Sequence, residues 1–263
     1  MTTPNLLIWS YAAVLGAMVG SFLNVCIVRL PAEQSVVRPR SRCPGCGSMI
    51  AWYDNIPVLS YLLLLGRCRQ CGQRISLQYP VVELAVAVIW ASAALRLGVG
   101  VEALRSAVFL SILLAIAITD ARHMVIPDHL SLGGAVLGLA LAAWPGDFSL
   151  VSAVIGAVAW YAIVRGASMA AERIFRKPAL GLGDVHMMAM VGAFLGVTGG
   201  LLTIFLGSLL GVMIGVPIMW WRGKLRARGT YLPFGTFLAL GGAIAHVWGD
   251  RLVDWYLTTF VAV

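Results

Sequence analysis

Two aspartates and four cysteines are the residues of this 263-residue chain whose type and setting suit chemistry. Asp120 directly follows the uncharged run 106–119, and Asp184 closes Gly181-Leu182-Gly183-Asp184 ahead of 37 uncharged residues. Acidic groups at the ends of long apolar runs are costly to place and usually have a purpose. Two carboxyls brought together hydrolyse a peptide bond without a metal, because like charges at close range cannot both ionise and the pair shares a proton. The ionised member acts as base on a water, and the protonated one polarises the scissile carbonyl. Taken singly, each aspartate also has a plainer reading. Asp184 and Asp128 suit the N-caps of the helices that follow them, and Asp120 suits an ion pair with Arg122.

Cys43-Pro44-Gly45-Cys46-Gly47 and Cys68-Arg69-Gln70-Cys71-Gly72 are paired C-x2-C knuckles with 21 residues between them. Four thiolates in this pattern close a tetrahedral zinc site of the ribbon type, and a closed shell leaves no open position for catalysis. The zinc expected here is therefore structural. Disulfides or a redox-active C-x-x-C are the competing readings. The cytoplasmic placement argued below disfavours the first, and the lack of a neighbouring βαβ pattern disfavours the second. Cys26, alone in an apolar run, reads as a small packed side chain.

The elements that must position these groups are membrane helices. Apolar residues make up 60% of the chain and charged residues only 11%, against roughly 25% charged in soluble domains. Residues 1–28, 185–221 and 229–249 contain no charged side chain, and runs of about 18 or more apolar residues span a bilayer. About eight spans are expected, near 5–28, 81–98, 103–120, 129–145, 148–168, 184–198, 201–221 and 231–249. Trp144-Pro145-Gly146-Asp147 and Thr198-Gly199-Gly200 break the longer stretches. Residues 1–8 carry no Lys or Arg, which argues against a cleaved signal peptide. With these boundaries sixteen of the nineteen Lys and Arg fall in 29–74, the 120s loop, 165–177 and 222–228. Those segments are placed in the cytoplasm and both termini outside. The net charge of +8 is thus explained by basic loops rather than by nucleic-acid binding.

Asp120 and Asp184 then share the cytoplasmic layer with His123, His129 and His186, whose spacing matches no zinc signature and which read as supporting groups. His246 lies toward the outer end of the last span and reads as packed or interfacial. The fold class is an all-α polytopic membrane protein with a zinc-ribbon-like insertion between helices 1 and 2. Its expected domains are residues 1–28 as the first span, 29–80 as the four-cysteine domain and 81–263 as the catalytic membrane domain. A cation- or proton-coupled transporter with a zinc module is the alternative from another class, disfavoured because the carboxylates lie at one face and no repeat is visible. A membrane thiol oxidoreductase is a third.

Further segments carry a resemblance. Gly20-Ser21-Phe22-Leu23-Asn24-Val25, Arg29-Leu30-Pro31, Asp54-Asn55-Ile56-Pro57-Val58-Leu59-Ser60-Tyr61, Gly66-Arg67-Cys68-Arg69 and Tyr79-Pro80-Val81-Val82-Glu83-Leu84 occur in this order. Asp120 through Ile126-Pro127-Asp128, the G-x-G-D of 181–184 and Pro233-Phe234-Gly235 follow. Together they resemble the prepilin peptidases, or type IV leader peptidases, nearly end to end. Thr236 stands where that family commonly has proline and Asp54 where it has glutamate, and neither departure is expected to touch the chemistry.

The resemblance implies that Asp120 and Asp184 are the catalytic pair of a membrane aspartic protease. Its substrates would be type IV prepilins or type II secretion pseudopilins, cut after glycine and before phenylalanine at the cytoplasmic face of the inner membrane. It also implies N-methylation of the new terminus from S-adenosylmethionine. No G-x-G-x-x-G on a strand–helix unit marks a site for that donor.

Overall fold

A computed structural model describes residues 3–176, 180–221 and 232–261. Its long elements are α1 (Thr3–Arg29), α3 (Gln78–Leu97), α4 (Val101–His123), α5 (Asp128–Ala142), α6 (Leu150–Phe175), α7 (Leu182–Leu210) and α9 (Phe234–Tyr256). Two short helices, α2 (Leu59–Leu63) and α8 (Val216–Trp221), are also present among the described residues. The protein is all-α, and among the described residues β-pairing is confined to two isolated bridges in the cysteine segment. Among the described residues, five helices are long and apolar enough to cross a membrane: Leu6–Ala32, α3, α4, α6 and the continuous stretch Leu182–Trp221. α5 has 15 residues, or about 22 Å, short of the ~30 Å hydrocarbon core.

The boundary expected at 198–200 lies elsewhere. Thr198-Gly199-Gly200 stays helical, and the break is at Gly196, whose φ of 70° and ψ of −165° suit a residue without a Cβ. A π-helical turn at Gly211–Gly215 then leads into α8. The basic residues expected at 177 and in 222–228, and the first position of the 231–249 run, lie outside the described residues.

The chain divides within α4 into two compact units, residues 1–111 and 112–263. In the first, α1 packs closely on α3. A methyl added at Gly16 would lie 2.8 Å from Trp90 Cβ, and one at Gly20 would lie 2.8 Å from Glu83 Cα. Small residues let membrane helices approach this closely. Polar groups buried at the contact are satisfied locally. Asn24, fully buried, donates to the Tyr79 carbonyl at 3.0 Å and accepts from Gln78 Nε2 at 3.3 Å. Glu83 Oε2 accepts the Val58 N–H at 2.7 Å, holding a β-branched residue at φ 61°.

In the second unit α7 is central. Its first half is buried almost continuously from Val185 through Phe194. Gly156 of α6 and Gly192 of α7 meet backbone to backbone, so that a methyl on either would overlap the other's carbonyl. Gly207 of α7 and Gly241 of α9 make a similar contact, with a methyl at 241 lying 2.6 Å from Gly207 N. Trp160 of α6 donates its indole N–H to the Val197 carbonyl at 3.0 Å, next to the Gly196 break. These contacts fix α6, α7 and α9 at separations that larger side chains would not permit.

Candidate active site

Three helix ends converge around the aspartates. Asp120 lies in the last turn of α4 and is only 5% exposed. α4 ends just beyond it, where the Met124 N–H bonds the Asp120 carbonyl and Met124 adopts φ 53°. The chain then passes through Ile126 and Pro127 to α5. Asp184 is the third residue of α7, whose N-cap is Gly181. It therefore lies inside the first turn instead of capping it. Gly183, the residue before Asp184, lies against Ile126, and Ile126 also packs on Gly235 beside the Asp120 carboxylate. The structure thus brings together two groups that are far apart in sequence.

Thr236, third residue of α9, completes the arrangement. Its backbone N–H donates to Asp120 Oδ2 at 2.6 Å and its hydroxyl lies 3.0 Å from the same oxygen. The first N–H groups of a helix have no partner within it, and an anion at that end is favoured by the helix dipole. Asp120 supplies that partner to α9 from another helix. The departure at 236 thus falls on a residue in direct hydrogen-bond contact with Asp120. A proline there would have neither the N–H nor the hydroxyl that Asp120 uses.

Ile126 is the apolar counterpart. A methyl at Gly183 would lie 2.8 Å from Ile126 Cβ, and one at Gly235 would lie 2.5 Å from Ile126 Cδ1 and 3.1 Å from Asp120 Cγ. Both glycines thus let the Ile126 segment sit against the turns that carry Asp184 and Thr236.

The other expected residues fall as follows. Asp128 opens α5 but does not cap it, since Pro127 is the N-cap. Its Oδ1 instead lies 2.7 Å from His186 Nδ1, and Tyr161 stacks on the His186 ring with centroids 6.2 Å apart. His123 and His129 are exposed, and His246 is half-buried in α9. Cys26 is buried in α1.

The four cysteines Cys43, Cys46, Cys68 and Cys71 do converge, with their sulfurs all within 4.8 Å of one another. The two knuckles are built alike. Cys43 N bonds Ser48 O and Gly47 N bonds Cys43 O, while Cys68 N bonds Gln73 O and Gly72 N bonds Cys68 O. Gly47 and Gly72 both stand at φ 70°. The Ser48 hydroxyl and N–H draw the Cys46 thiol down to about 6, and the N–H groups of Cys71 and Gln70 lower Cys68. Against the pull of the Gln73 N–H, desolvation and the other three sulfurs push Cys71 up to about 11. It is therefore Cys46 and Cys68 that are held toward the thiolate form that a metal ion takes. Cys43 and Cys71 have sulfurs 3.7 Å apart, near the ~3.8 Å edge of a tetrahedron with Zn–S bonds of about 2.3 Å. Asp54, beside this cluster, takes a two-pronged ion pair from Arg69, at 2.6 Å from Nη2 and 2.9 Å from Nε.

Against known families, residues 14–97 match the bacterial peptidase A24 N-terminal domain and residues 107–216 match the type IV leader peptidase family. A prepilin leader peptidase/N-methyltransferase of Aeromonas hydrophila is 35% identical over 97% of this chain and 96% of its own length. The chain belongs to the type IV leader peptidase family. Proteins of the same description from Pseudomonas putida and Myxococcus xanthus are 37% and 40% identical. The P. putida match covers 92% of this chain and 91% of that relative, whereas the M. xanthus match covers 82% of this chain and 64% of that relative. No solved structure matches the chain. Membership and the apolar helices make this an inner-membrane, multi-pass protein.

Proposed function

We propose that this protein is a membrane aspartic endopeptidase that removes the leader from type IV prepilins or type II secretion pseudopilins, with Asp120 and Asp184 as its catalytic pair. The observation that supports the reading is the position of the two carboxylates at the ends of α4 and α7, both beside the Ile126 segment. The distribution of basic residues supports a site at the cytoplasmic face and both termini in the periplasm. The expected cut follows a glycine and precedes a phenylalanine.

Hydrolysis by such a pair needs no other group. The ionised carboxylate takes a proton from water as the water oxygen bonds to the scissile carbon, and the protonated partner gives its proton to the carbonyl oxygen. When the tetrahedral intermediate collapses, the carbonyl re-forms and returns that proton. The C–N bond breaks and the departing amine takes the proton held by the base. Both aspartates end as they began.

Cys43, Cys46, Cys68 and Cys71 fit a structural Zn2+ by donor type, knuckle geometry and spacing. The segment 29–80 would then be a metal-tied module between α1 and α3, and 81–263 the membrane domain that carries the pair. The relatives' description also supports N-methylation of the cleaved terminus from S-adenosylmethionine. One cavity of about 260 Å3 lies in the first unit, lined by Arg29, Arg40, Ser41, Trp52 and Asn55 among others. Two guanidiniums and no carboxylate in its lining do not suit a sulfonium cation, so the donor is not assigned to it.

Asp120→Asn and Asp184→Asn test the assignment in membranes that co-express a prepilin. Each is expected to abolish leader removal while the protein still accumulates. Normal cleavage by either variant would show that the pair is not the catalyst.

A further inference from the structure

The two aspartates are held unequally, and Thr236 is the cause. Asp120 Oδ2 receives the Thr236 N–H at 2.6 Å and faces the Thr236 hydroxyl at 3.0 Å. A carboxylate oxygen has two lone pairs, so while both donors point at Oδ2 that oxygen has no room for a proton. The N–H is a fixed donor of the α9 first turn and has no partner within its own helix. Two donors on one oxygen favour the negative charge on Asp120 and leave Oδ1 for water.

The hydroxyl has a second partner. Thr236 Oγ1 lies 3.2 Å from the Ala117 carbonyl, one turn before Asp120 in α4. A hydroxyl carries one hydrogen and two lone pairs. With Asp120 ionised it donates to Oδ2. If a proton comes to rest on Oδ2, the hydroxyl can turn its hydrogen to Ala117 and accept from the carboxylic acid. Both protonation states are served by one bond rotation and no movement of heavy atoms.

We infer that Thr236 is a positioning residue that divides the labour of the pair, holding Asp120 as the base that takes the proton of water and leaving Asp184 as the acid that protonates the scissile carbonyl. This rests on the reading that the two aspartates are the catalytic pair. The proton balance is the one given above. Asp120 gains a proton from water and passes it to the leaving amine, and Asp184 lends a proton to the carbonyl oxygen and recovers it. Thr236 exchanges none and only reorients.

The test compares Thr236→Val, which keeps the N–H and the branched shape but loses the hydroxyl, with Thr236→Ser, which keeps both donors. Steady-state cleavage of a purified prepilin by the full chain in detergent gives kcat and KM. The valine variant should lose about tenfold to a hundredfold in kcat, with KM within roughly twofold, because the lost bond is to an ion that changes charge during the reaction. The serine variant should stay within about threefold of the parent. Wild-type kcat in the valine variant, an equal loss in the serine variant or a loss confined to KM would each overturn the inference. If the valine variant lowers the unfolding midpoint, Thr236→Ala takes its place in the same comparison. Asp120→Asn is assayed alongside. An active asparagine variant sinks the pair itself, whereas an inactive one beside a fully active valine variant sinks only the role of Thr236.

Discussion

Asp128 Oδ1 lies 2.7 Å from His186 Nδ1, tying the first residue of α5 to the first turn of α7 two residues beyond Asp184. The pair is 58 positions apart in sequence, and Tyr161 of α6 stacks on its histidine. Three helices of the second unit thus meet beside one aspartate.

Replacing either partner should loosen the turn that holds Asp184. His186→Ala and Asp128→Asn are each expected to lower the cleavage rate by roughly threefold to tenfold, as a small misplacement of a reacting group does. Stability should fall by no more than about 1 kcal/mol, because the Asp128 side chain is 58% exposed. The double variant should be little worse than either single one. Cleavage rates and unfolding midpoints of the three proteins check this, and additive rate losses would show that the two residues act separately.

Gly235 permits the approach of Asp120 to α9. Gly235→Ala would put a methyl 3.1 Å from Asp120 Cγ and 2.5 Å from Ile126 Cδ1. Overpacking of this kind costs about 1–3 kcal/mol and shifts side chains. A rate loss of roughly tenfold or more is expected. Ile126→Val removes Cδ1 and should restore part of the activity in the double variant. Failure of any such rescue in the cleavage assay would count against Ile126 as the obstructing group.

Arg69 holds the Asp54 carboxyl below its ordinary range, chiefly through its hydrogen bonds to that group. A lowered carboxyl contributes stability above its unfolded value, about 4, and loses it as pH falls through the folded value. Arg69→Gln should therefore lower the melting temperature of the protein at neutral pH and make progressively less difference below about pH 4. Melting curves of both proteins across pH give the result, and a pH-independent difference would mean that the ion pair is not its source.

Metal removal should act on the four-cysteine module. Elemental analysis is expected to find one zinc per chain, lost in Cys43→Ser and Cys68→Ser. Retention should weaken as pH is lowered, because protons compete with the ion for thiolate. Chelation should slow cleavage and added zinc should restore it. Full activity in a zinc-free protein would restrict the module to a role outside leader removal.

The all-helical, membrane-spanning character was readable because a bilayer permits few solutions, each span being apolar along its length and satisfying its own backbone. The eight separate spans expected were not: five helices among the described residues are long and apolar enough, and 184–198 and 201–221 fall in one continuous stretch. The knuckles were readable because Gly47 and Gly72 follow their cysteines at the position that takes φ 70°. Position 196 was harder. It lies two residues before Thr198-Gly199-Gly200, which looked like the stronger breaker, and Trp160 bonding to the Val197 carbonyl gives no local signal. Thr236 is 116 residues from Asp120, and a hydrogen bond over that distance has no periodicity to betray it. Its only trace was a residue out of place beside Pro233-Phe234-Gly235. The Asp128–His186 pair was hidden in the same way, since each residue had a plausible local reading.

The break at Gly196 bears on how Asp184 is reached. It cuts α7 so that the stretch from Leu182 forms a short post with Asp184 near its tip. Val185, Met187, Met188, Met190, Val191 and Phe194 along that post are each no more than 1% exposed. Its first turn is different: Leu182 is exposed and Gly183, Asp184 and His186 are only partly buried, so the carboxylate sits on the one stretch of the post that its neighbours do not enclose.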